Sequence, residues 1–233
     1  MSKVLDTHSL VQQIRAYEPG LIKIIFDFVF VRCYEDKEGK HEYICALPTP
    51  GTKYICEHAF EEHKNLKMVI IDKSVEIIDQ GAFDECSSLT HVFMDNSVKI
   101  IYGWAFYKCL NLTQLTIPDS VETIYTDAFR CCTNLTHVTI GNSVKVIEDG
   151  AFCSCTNLTK VIMGNSVKSI GAGAFFGSEK LTHFYIPDSV EYIEYEIFQK
   201  CSNLQEASIP QHLEQLVKDN EVFPEHTKVI VRT

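Results

Sequence analysis

Basic residues are scarce in this chain of 233 residues, which has 21 Lys and Arg against 31 Asp and Glu and a formal net charge of −10. Nucleic acids are bound through a basic stripe or patch that neutralises phosphates, and no such stripe is present in the sequence. The composition therefore indicates that no nucleic acid is a partner of this chain.

A long hydrophobic run is also lacking. Crossing a bilayer takes about 20 apolar residues, whereas the most apolar stretch, LIKIIFDFVFV at 21–31, is short and carries Lys23 and Asp27. The N-terminal MSKVLDTHSLVQQ has neither the apolar core nor the small-residue cleavage site of a signal peptide. We therefore expect no membrane insertion and a cytoplasmic location, whereas a leader removed from the chain would place it at the cell surface.

Catalytic motifs are missing too. The sequence has no G-x-S-x-G, no phosphate-binding loop and no H-E-x-x-H, the patterns that mark common hydrolases, nucleotide-binding proteins and zinc proteases. Acidic residues such as Glu148, Asp149 and Glu194 fall on turns, where a solvated face is their usual role. The sequence therefore predicts no catalytic residues, no enzymatic activity and no cofactor.

What the sequence does have is a 23-residue repeat. LTQLTIPDSVETIYTDAFRCCTN at 112–134 is followed by two segments of the same length and pattern. Columns of leucine, isoleucine or methionine, and valine keep this spacing over seven copies, as does a phenylalanine column. The phenylalanine column consists of Phe60, Phe83, Phe106, Phe129, Phe152, Phe175 and Phe198. One unit cannot close a core but stacked units can, so the sequence predicts a solenoid.

Each repeat predicts one coil of this solenoid. LTHVTI at 135–140 alternates apolar and polar residues, which indicates a short strand, and GNS or PDS then turns the chain. VKVI at 144–147 is a second short extended segment. Strands of successive coils pair about 4.8 Å apart, so we expect one long parallel sheet of about nine short strands. The last of these strands is predicted at 228–232.

The repeat resembles the BspA-type leucine-rich repeat, whose pattern is close to C-x-x-L-x-x-I-x-I-P-x-S-V-x-x-I-G-x-x-A-F. Residues 109–131 show it as CLNLTQLTIPDSVETIYTDAFRC, and the resemblance covers about residues 43–233. The glycine of the pattern is present only as Gly171. The resemblance implies a right-handed leucine-rich repeat solenoid of the α/β repeat class. It also implies a role in adhesion or recognition, often at the surface of bacteria and parasitic protists.

The first part of the chain carries no repeat, so we divide the chain into an N-terminal cap at 1–42 and a solenoid at 43–233 with degenerate first and last coils. Within the cap, DTHSLVQQIRAY at 6–17 predicts an amphipathic helix, and residues 21–47 predict a hairpin that turns at Lys37–Lys40. EPGLIKIIFDFV at 18–29 loosely resembles the start of an F-box, a helical adaptor module, which leaves open the interpretation that the chain is an adaptor.

Half of the ten cysteines occupy one repeat position, three residues after the phenylalanine. These are Cys86, Cys109, Cys132, Cys155 and Cys201, with Ser178 interrupting the column. Equivalent Cβ atoms of neighbouring coils lie about 4.8 Å apart, which is wide for a disulfide, and the paired C-x-x-C units of a zinc site are lacking. We therefore predict a column of free thiols, and we expect Cys131 and Cys153, which lie off the column, to point outward.

Strand alternation predicts a binding face. In LTHVTI, Leu135, Val138 and Ile140 point inward, which leaves His137 and Thr139 on the exposed side of the sheet. The candidate binding residues at these two positions in five coils are His91, Phe93, Gln114, Thr116, His137, Thr139, Lys160, Ile162, His183 and Tyr185. The histidines recur in alternate coils, about 10 Å apart, which is too far for one metal ion, so no metal site is predicted.

These observations favour a non-enzymatic protein-interaction module, because an extended sheet presents many side chains in register on a rigid frame. Phe93, Ile162 and Tyr185 are expected to be exposed without internal packing partners, which is typical of interface hot spots. The β propensity of such residues is the competing explanation. The alternative function is a structural or assembly component bound through its ends. We expect a monomer and a protein partner whose identity the sequence does not give.

Overall fold

The computed structural model describes residues 22–25, 28–31, 45–48 and 51–233. Its strands are, in chain order, β1 (Ile22–Ile25), β2 (Phe28–Val31), β3 (Cys45–Pro48), β4 (Tyr54–Ile55), β5 (Met68–Ile71), β6 (Ile77–Ile78), β7 (His91–Met94), β8 (Ile100–Ile101), β9 (Gln114–Thr116), β10 (Thr123–Ile124), β11 (His137–Thr139), β12 (Val146–Ile147), β13 (Lys160–Ile162), β14 (Ser169–Ile170), β15 (His183–Tyr185), β16 (Tyr192–Ile193), β17 (Glu206–Pro210) and β18 (Lys228–Arg232). A 3₁₀ turn at Gln211–Leu213 leads into the helix α1 (Glu214–Asp219).

The chain winds into a solenoid with a strand on each of two sides of every regular coil. We call β3, β5, β7, β9, β11, β13, β15, β17 and β18 the front strands; they are the parallel strands that the sequence predicts. Backbone hydrogen bonds divide them into three groups, β3–β5–β7, β9–β11–β13 and β15–β17–β18. The two-residue strands from β4 to β16 are the back strands, and they form one parallel seven-stranded sheet. The segments that the sequence marks only as extended therefore form a second sheet.

The strand ladders keep the 23-residue period up to β17, and only the last pair, β17 with β18, is offset by 22 residues. On the front, Val138 pairs with Leu115 on one side and with Val161 on the other. On the back, Ile147 pairs with Ile124 and Ile170. Because each residue lies beside its own repeat equivalent, every column of the sequence becomes a row of like side chains along the solenoid.

The phenylalanine column forms a stack of parallel rings through the core. Phe129 lies 5.2 Å from Phe106 and 5.3 Å from Phe152, measured between ring centroids, with interplanar angles of 5°. These rings are fully buried. The spacing matches the distance between coils, so the aromatic stack and the two strand ladders are set by the same repeat.

Turns, and not helices, carry the chain through each phenylalanine. The residues two before and two after the phenylalanine are left-handed, as at Gly150 (φ 63°) and Ser154 (φ 60°) on either side of Phe152. This conformation aims backbone amides at the following coil, where Phe152 N donates to the Ala174 carbonyl at 2.8 Å. Backbone groups are thus paired between coils without a helix, and within 51–233 the α-helix is confined to the last coil.

The last coil is longer than the others. Phe223 follows Phe198 by 25 residues, and α1 lies within the added length, yet the two rings still stack at 5.0 Å. The final strand β18 occupies the residues that the sequence predicts for it. No helix in the described part of the chain is long and apolar enough to span a membrane.

Strands also precede the first regular coil. β1 pairs antiparallel with β2, and β2 pairs antiparallel with β3, which then joins β5 in parallel. The F-box interpretation is wrong for this segment, because a helical module would make 22–25 and 28–31 helical. The helix predicted at 6–17 and the turn predicted at Lys37–Lys40 lie outside the described residues, so the cap at 1–42 stays a prediction.

The cysteine column pairs with the backbone of the preceding coil. The Cys86 thiol donates to the Phe60 carbonyl at 3.0 Å, and Cys132 donates to the Phe106 carbonyl at 3.3 Å. In the same way Cys109, Cys155 and Cys201 donate to the carbonyls of Phe83, Phe129 and Phe175 in the preceding coils. All five are free thiols and are buried, and a small, weakly polar residue with a weak donor suits this position.

Ser178 occupies the same column but does not make this bond. It is fully buried, and its hydroxyl finds no hydrogen-bond partner in the described part of the chain. An unpaired buried polar group costs about 1–3 kcal/mol. The oxygen of serine is closer to Cβ than the sulfur of cysteine, so it does not reach the carbonyl that the thiols reach.

We expect Ser178→Cys to raise the free energy of unfolding by about 1 kcal/mol, because the thiol removes an unpaired hydroxyl and reaches the Phe152 carbonyl. In a chain of this size the melting midpoint should rise by about 2–4 °C. The matched control is Ser189→Cys, since the Ser189 hydroxyl already donates to the Val167 carbonyl at 2.8 Å. Thermal unfolding of both variants measures these midpoints. A lower midpoint for Ser178→Cys would refute the explanation that the Ser178 hydroxyl is destabilising because it is unpaired.

Candidate functional site

The ten predicted face residues lie on five consecutive front strands, from β7 to β15. Eight of them are exposed, and the exposed fractions of Ile162 and Tyr185 reach 48% and 51%. Phe93 and Thr139 are only half-buried, so the expectation of an exposed Phe93 is wrong. Register brings the central positions together, since His137 lies opposite Gln114 and Lys160. We call these ten residues the front face.

Two aromatic residues of the front face have packing partners inside the protein. The Phe93 ring stacks on His91, with centroids 6.1 Å apart and an interplanar angle of 11°. The Arg232 guanidinium lies over the Tyr185 ring at 4.1 Å from its centroid. The expectation that these aromatics lack internal partners is therefore wrong for both. Ile162 remains exposed as expected.

The Tyr185–Arg232 stack is held rigidly by hydrogen bonds. The Arg232 guanidinium donates to the Ser208 hydroxyl at 2.9 Å, to the Ile186 carbonyl at 2.6 Å and to the Asp188 carboxylate at 2.6 Å. A guanidinium fixed by several acceptors keeps its plane against the ring. One side of Tyr185 is thus covered while the rest of the ring stays open to a partner.

The histidines of the front face are oriented by threonine. Nδ1 of His91 lies 2.8 Å from the Thr90 hydroxyl, and Nδ1 of His137 lies 2.9 Å from that of Thr136. Each hydroxyl donates its own hydrogen to a carbonyl of the preceding coil, so it can only accept from the imidazole. Nδ1 therefore carries a proton and donates, which leaves Nε2, the other ring nitrogen, for a partner.

The front face differs in charge from the rest of the surface. Its strands at 91–94, 114–116, 137–139, 160–162 and 183–185 contain no Asp or Glu. Carboxylates are instead paired near the back strands, where Lys99 donates to Glu76 at 2.6 Å and Lys145 donates to Glu122 at 2.8 Å. These hydrogen bonds lower the pKa of both carboxyls below their usual range. Lys160 has no ion pair within the described residues.

Burial disfavours the reactive thiolate form of the column thiols. Burial raises the pKa of the Cys86 and Cys201 thiols to about 12 and shifts that of Cys109 in the same direction. Cys153 is buried, so the expectation that it points outward is wrong, whereas Cys131 is half-buried. No group of three or more His, Cys, Asp or Glu side chains that could hold a metal ion is found in the described part of the chain.

Comparisons with known proteins agree with the repeat and the fold. The profile of the family described as BspA type Leucine rich repeat region matches the chain in six copies, over residues 53–152 and 122–223. No curated protein matches the chain significantly.

Among solved structures, the T. pallidum leucine-rich repeat protein TpLRR is similar, with 25% identity, a TM-score of 0.66 and coverage of 85% of this chain and 96% of that one. A leucine-rich cell surface protein from Faecalibacterium prausnitzii shows 15% identity, a TM-score of 0.47 and coverage of 94% and 96%.

Proposed function

Because the chain belongs to the BspA-type leucine-rich repeat family, we propose that it is a non-enzymatic module that binds a protein partner through its front face. The observation that carries this proposal is the combination of exposed Ile162 and Tyr185 with oriented histidines on one side of the solenoid. Leucine-rich repeat folds commonly serve protein interaction, and a stacked sheet presents such side chains with little entropy to lose on binding.

The exposed residues of the front face suit an interface core. Tyrosine and isoleucine supply large apolar area, and fixed polar groups around them supply direction. The Arg232 stack and the threonine–histidine bonds hold Tyr185 and His137 before any partner arrives. Few side chains of the front face therefore have to become ordered when a partner binds.

A second candidate function is assembly through an end of the solenoid. Within the described residues β18 has a hydrogen-bonded neighbour on one side only, and its Val229 is 38% exposed. Beside it, a cleft of about 460 Å³ is lined by apolar residues such as Val217 and Phe223 together with charged residues such as Lys218 and Glu221. An open strand edge is a template for pairing with another chain.

The cytoplasm is the compartment that we propose for this function. The five column thiols donate hydrogen bonds to the backbone, and donation requires that they stay reduced. Reducing compartments maintain free thiols.

Site-specific cross-linking tests which surface meets the partner. A photoreactive benzoyl-phenylalanine placed at position 162 should give a discrete cross-linked product in an extract of the source cells. The same residue at position 192 is the control, because Tyr192 is equally exposed but lies on the back strand β16. Products from position 192 and none from position 162 would place the partner on the back strands and refute the proposal.

A further inference from the structure

We infer that the segment of the partner that occupies the front face is an acidic, extended peptide. This inference rests on the proposed function and gives it a chemical class of partner. The carboxylates of such a peptide would meet Lys160, His137 and His183, and one of its apolar side chains would pack on Ile162 and Tyr185.

The distribution of charge favours this class of partner. The chain carries 31 acidic residues, yet none stands on the front strands from β7 to β15. Among the described residues, eight other lysines form an ion pair with a carboxylate of the chain, as Lys168 does with Glu191 at 2.5 Å. Lys160 stands among neutral residues and has no ion pair within the described residues, so its charge is available to an incoming carboxylate.

The register places the basic side chains side by side. Lys160 lies directly opposite His137, and His183 occupies the equivalent position on β15, the next strand. The hydrogen-bonded strands β11 and β13 are about 4.8 Å apart, and alternate side chains of an extended peptide are about 6.7 Å apart. Because the lysine side chain is long and flexible, a peptide laid across these strands with acidic residues at alternate positions can bring one carboxylate to Lys160 and another to His137.

The groups around each histidine leave room for a carboxylate. His137 faces Gln114 and Lys160 on the neighbouring strands, and Thr136 holds its Nδ1. His183 faces Glu206 on β17, but that carboxylate is engaged by Lys228 at 3.3 Å. A protonated imidazole offers Nε2 as a second donor to a carboxylate.

The net charge of −10 does not prevent this recognition. At physiological salt the screening length is about 8 Å, so carboxylates paired near the back strands contribute little at the front face. Next to the basic side chains, Ile162 and Tyr185 offer an apolar surface that is about half exposed. The front face can therefore bind both an acidic and an apolar side chain of the peptide.

Peptide titrations test the inference directly. The probes are three fluorescein-labelled 12-residue peptides with one common frame and a central leucine, in which alternate positions carry Glu, Gln or Lys. Fluorescence anisotropy at pH 6 and at 150 mM salt should show that the Glu peptide binds at least tenfold more tightly than the other two. Equal or tighter binding of the Gln or Lys peptide, or no binding of the Glu peptide at 1 mM, overturns the inference.

Two variants of the front face test whether the Glu peptide binds there. Lys160→Gln should weaken the Glu peptide about three- to fivefold, the range of an exposed ion pair. Lys180→Gln is the matched control, since Lys180 is also exposed without an ion pair among the described residues but lies on a turn. Equal weakening by both variants overturns the inference. His137→Gln combined with His183→Gln should also weaken the Glu peptide at pH 6, and an unchanged affinity counts against the inference.

Failure of this inference and failure of the proposed function have different signatures. If the Glu peptide does not bind while position 162 still cross-links to a partner, the front face binds a partner of another chemistry. If position 162 gives no cross-link either, the proposed function itself is wrong.

Discussion

Phe129→Ala should lower the free energy of unfolding by about 3–5 kcal/mol, as the loss of a buried aromatic side chain does. The Phe129 ring is fully buried and stacks on Phe106 and Phe152 at 5.2 and 5.3 Å. Alanine would remove its contacts with both neighbouring coils. It would also leave a cavity that the rigid strand ladders on the front and back cannot close.

The control for this prediction is Phe223→Ala. Phe223 is half-buried and stacks on only one ring of the phenylalanine column, Phe198. Its truncation should therefore lower the free energy of unfolding by less than half as much as that of Phe129. Urea titrations followed by circular dichroism measure both variants. Equal shifts of the two midpoints would show that the coils do not stabilise each other through the phenylalanine stack.

Most of the fold could be predicted from the sequence because the repeat is regular. Once the period is 23 residues, each column must lie beside itself in the next coil, and inward positions follow from strand alternation. The front strands and the buried phenylalanine column were predicted in this way. The prediction that Cys86 and its equivalents are buried free thiols is likewise confirmed by their bonds to the preceding coil.

The back sheet was harder to predict, because its strands are only two residues long and show no alternation. They form a sheet because Ile124 and Ile147 are aligned by the same period that aligns the front strands. The turns around phenylalanine were also missed as specific structures. Their left-handed residues include Trp104 and Asp127, which carry no glycine signal.

The candidate face was predicted less completely than the fold. Alternation gives the direction of a side chain but not what covers it. Tyr185 is stacked by Arg232, which is 47 residues away in sequence and comes from the irregular last coil, where the columns carry no information. Phe93 is half-buried and stacks on His91 of its own strand. Both contacts depend on rotamers and neighbours, which a repeat pattern does not specify.

The double variant Ile162→Ser with Tyr185→Ser should weaken binding of the cross-linked partner at least tenfold. Both side chains are about half exposed at neighbouring positions of the front face, and truncation of such central anchors typically costs about 2 kcal/mol or more. Phe93 is left unchanged because it is half-buried. The loss of the Arg232 stack should cost about 1 kcal/mol of stability, which leaves the protein folded at assay temperature.

The control is a double variant of the back strands, Tyr54→Ser with Tyr192→Ser. These tyrosines are 55% and 51% exposed, so the control removes comparable surface without touching the front face. It should leave affinity for the partner unchanged. Its melting midpoint shows how much stability a change of this kind removes.

The affinity of the purified partner for these two double variants is the most direct test of the front face as the binding surface. We expect Kd to rise at least tenfold for Ile162→Ser with Tyr185→Ser and to stay within about twofold for the back-strand control, a difference of about 1 kcal/mol or more. An unchanged Kd in the folded front-face variant would contradict the account. The next candidate binding surface would then be the turns that follow the back strands, where the rings of Tyr102 and Tyr125 lie 4.9 Å apart.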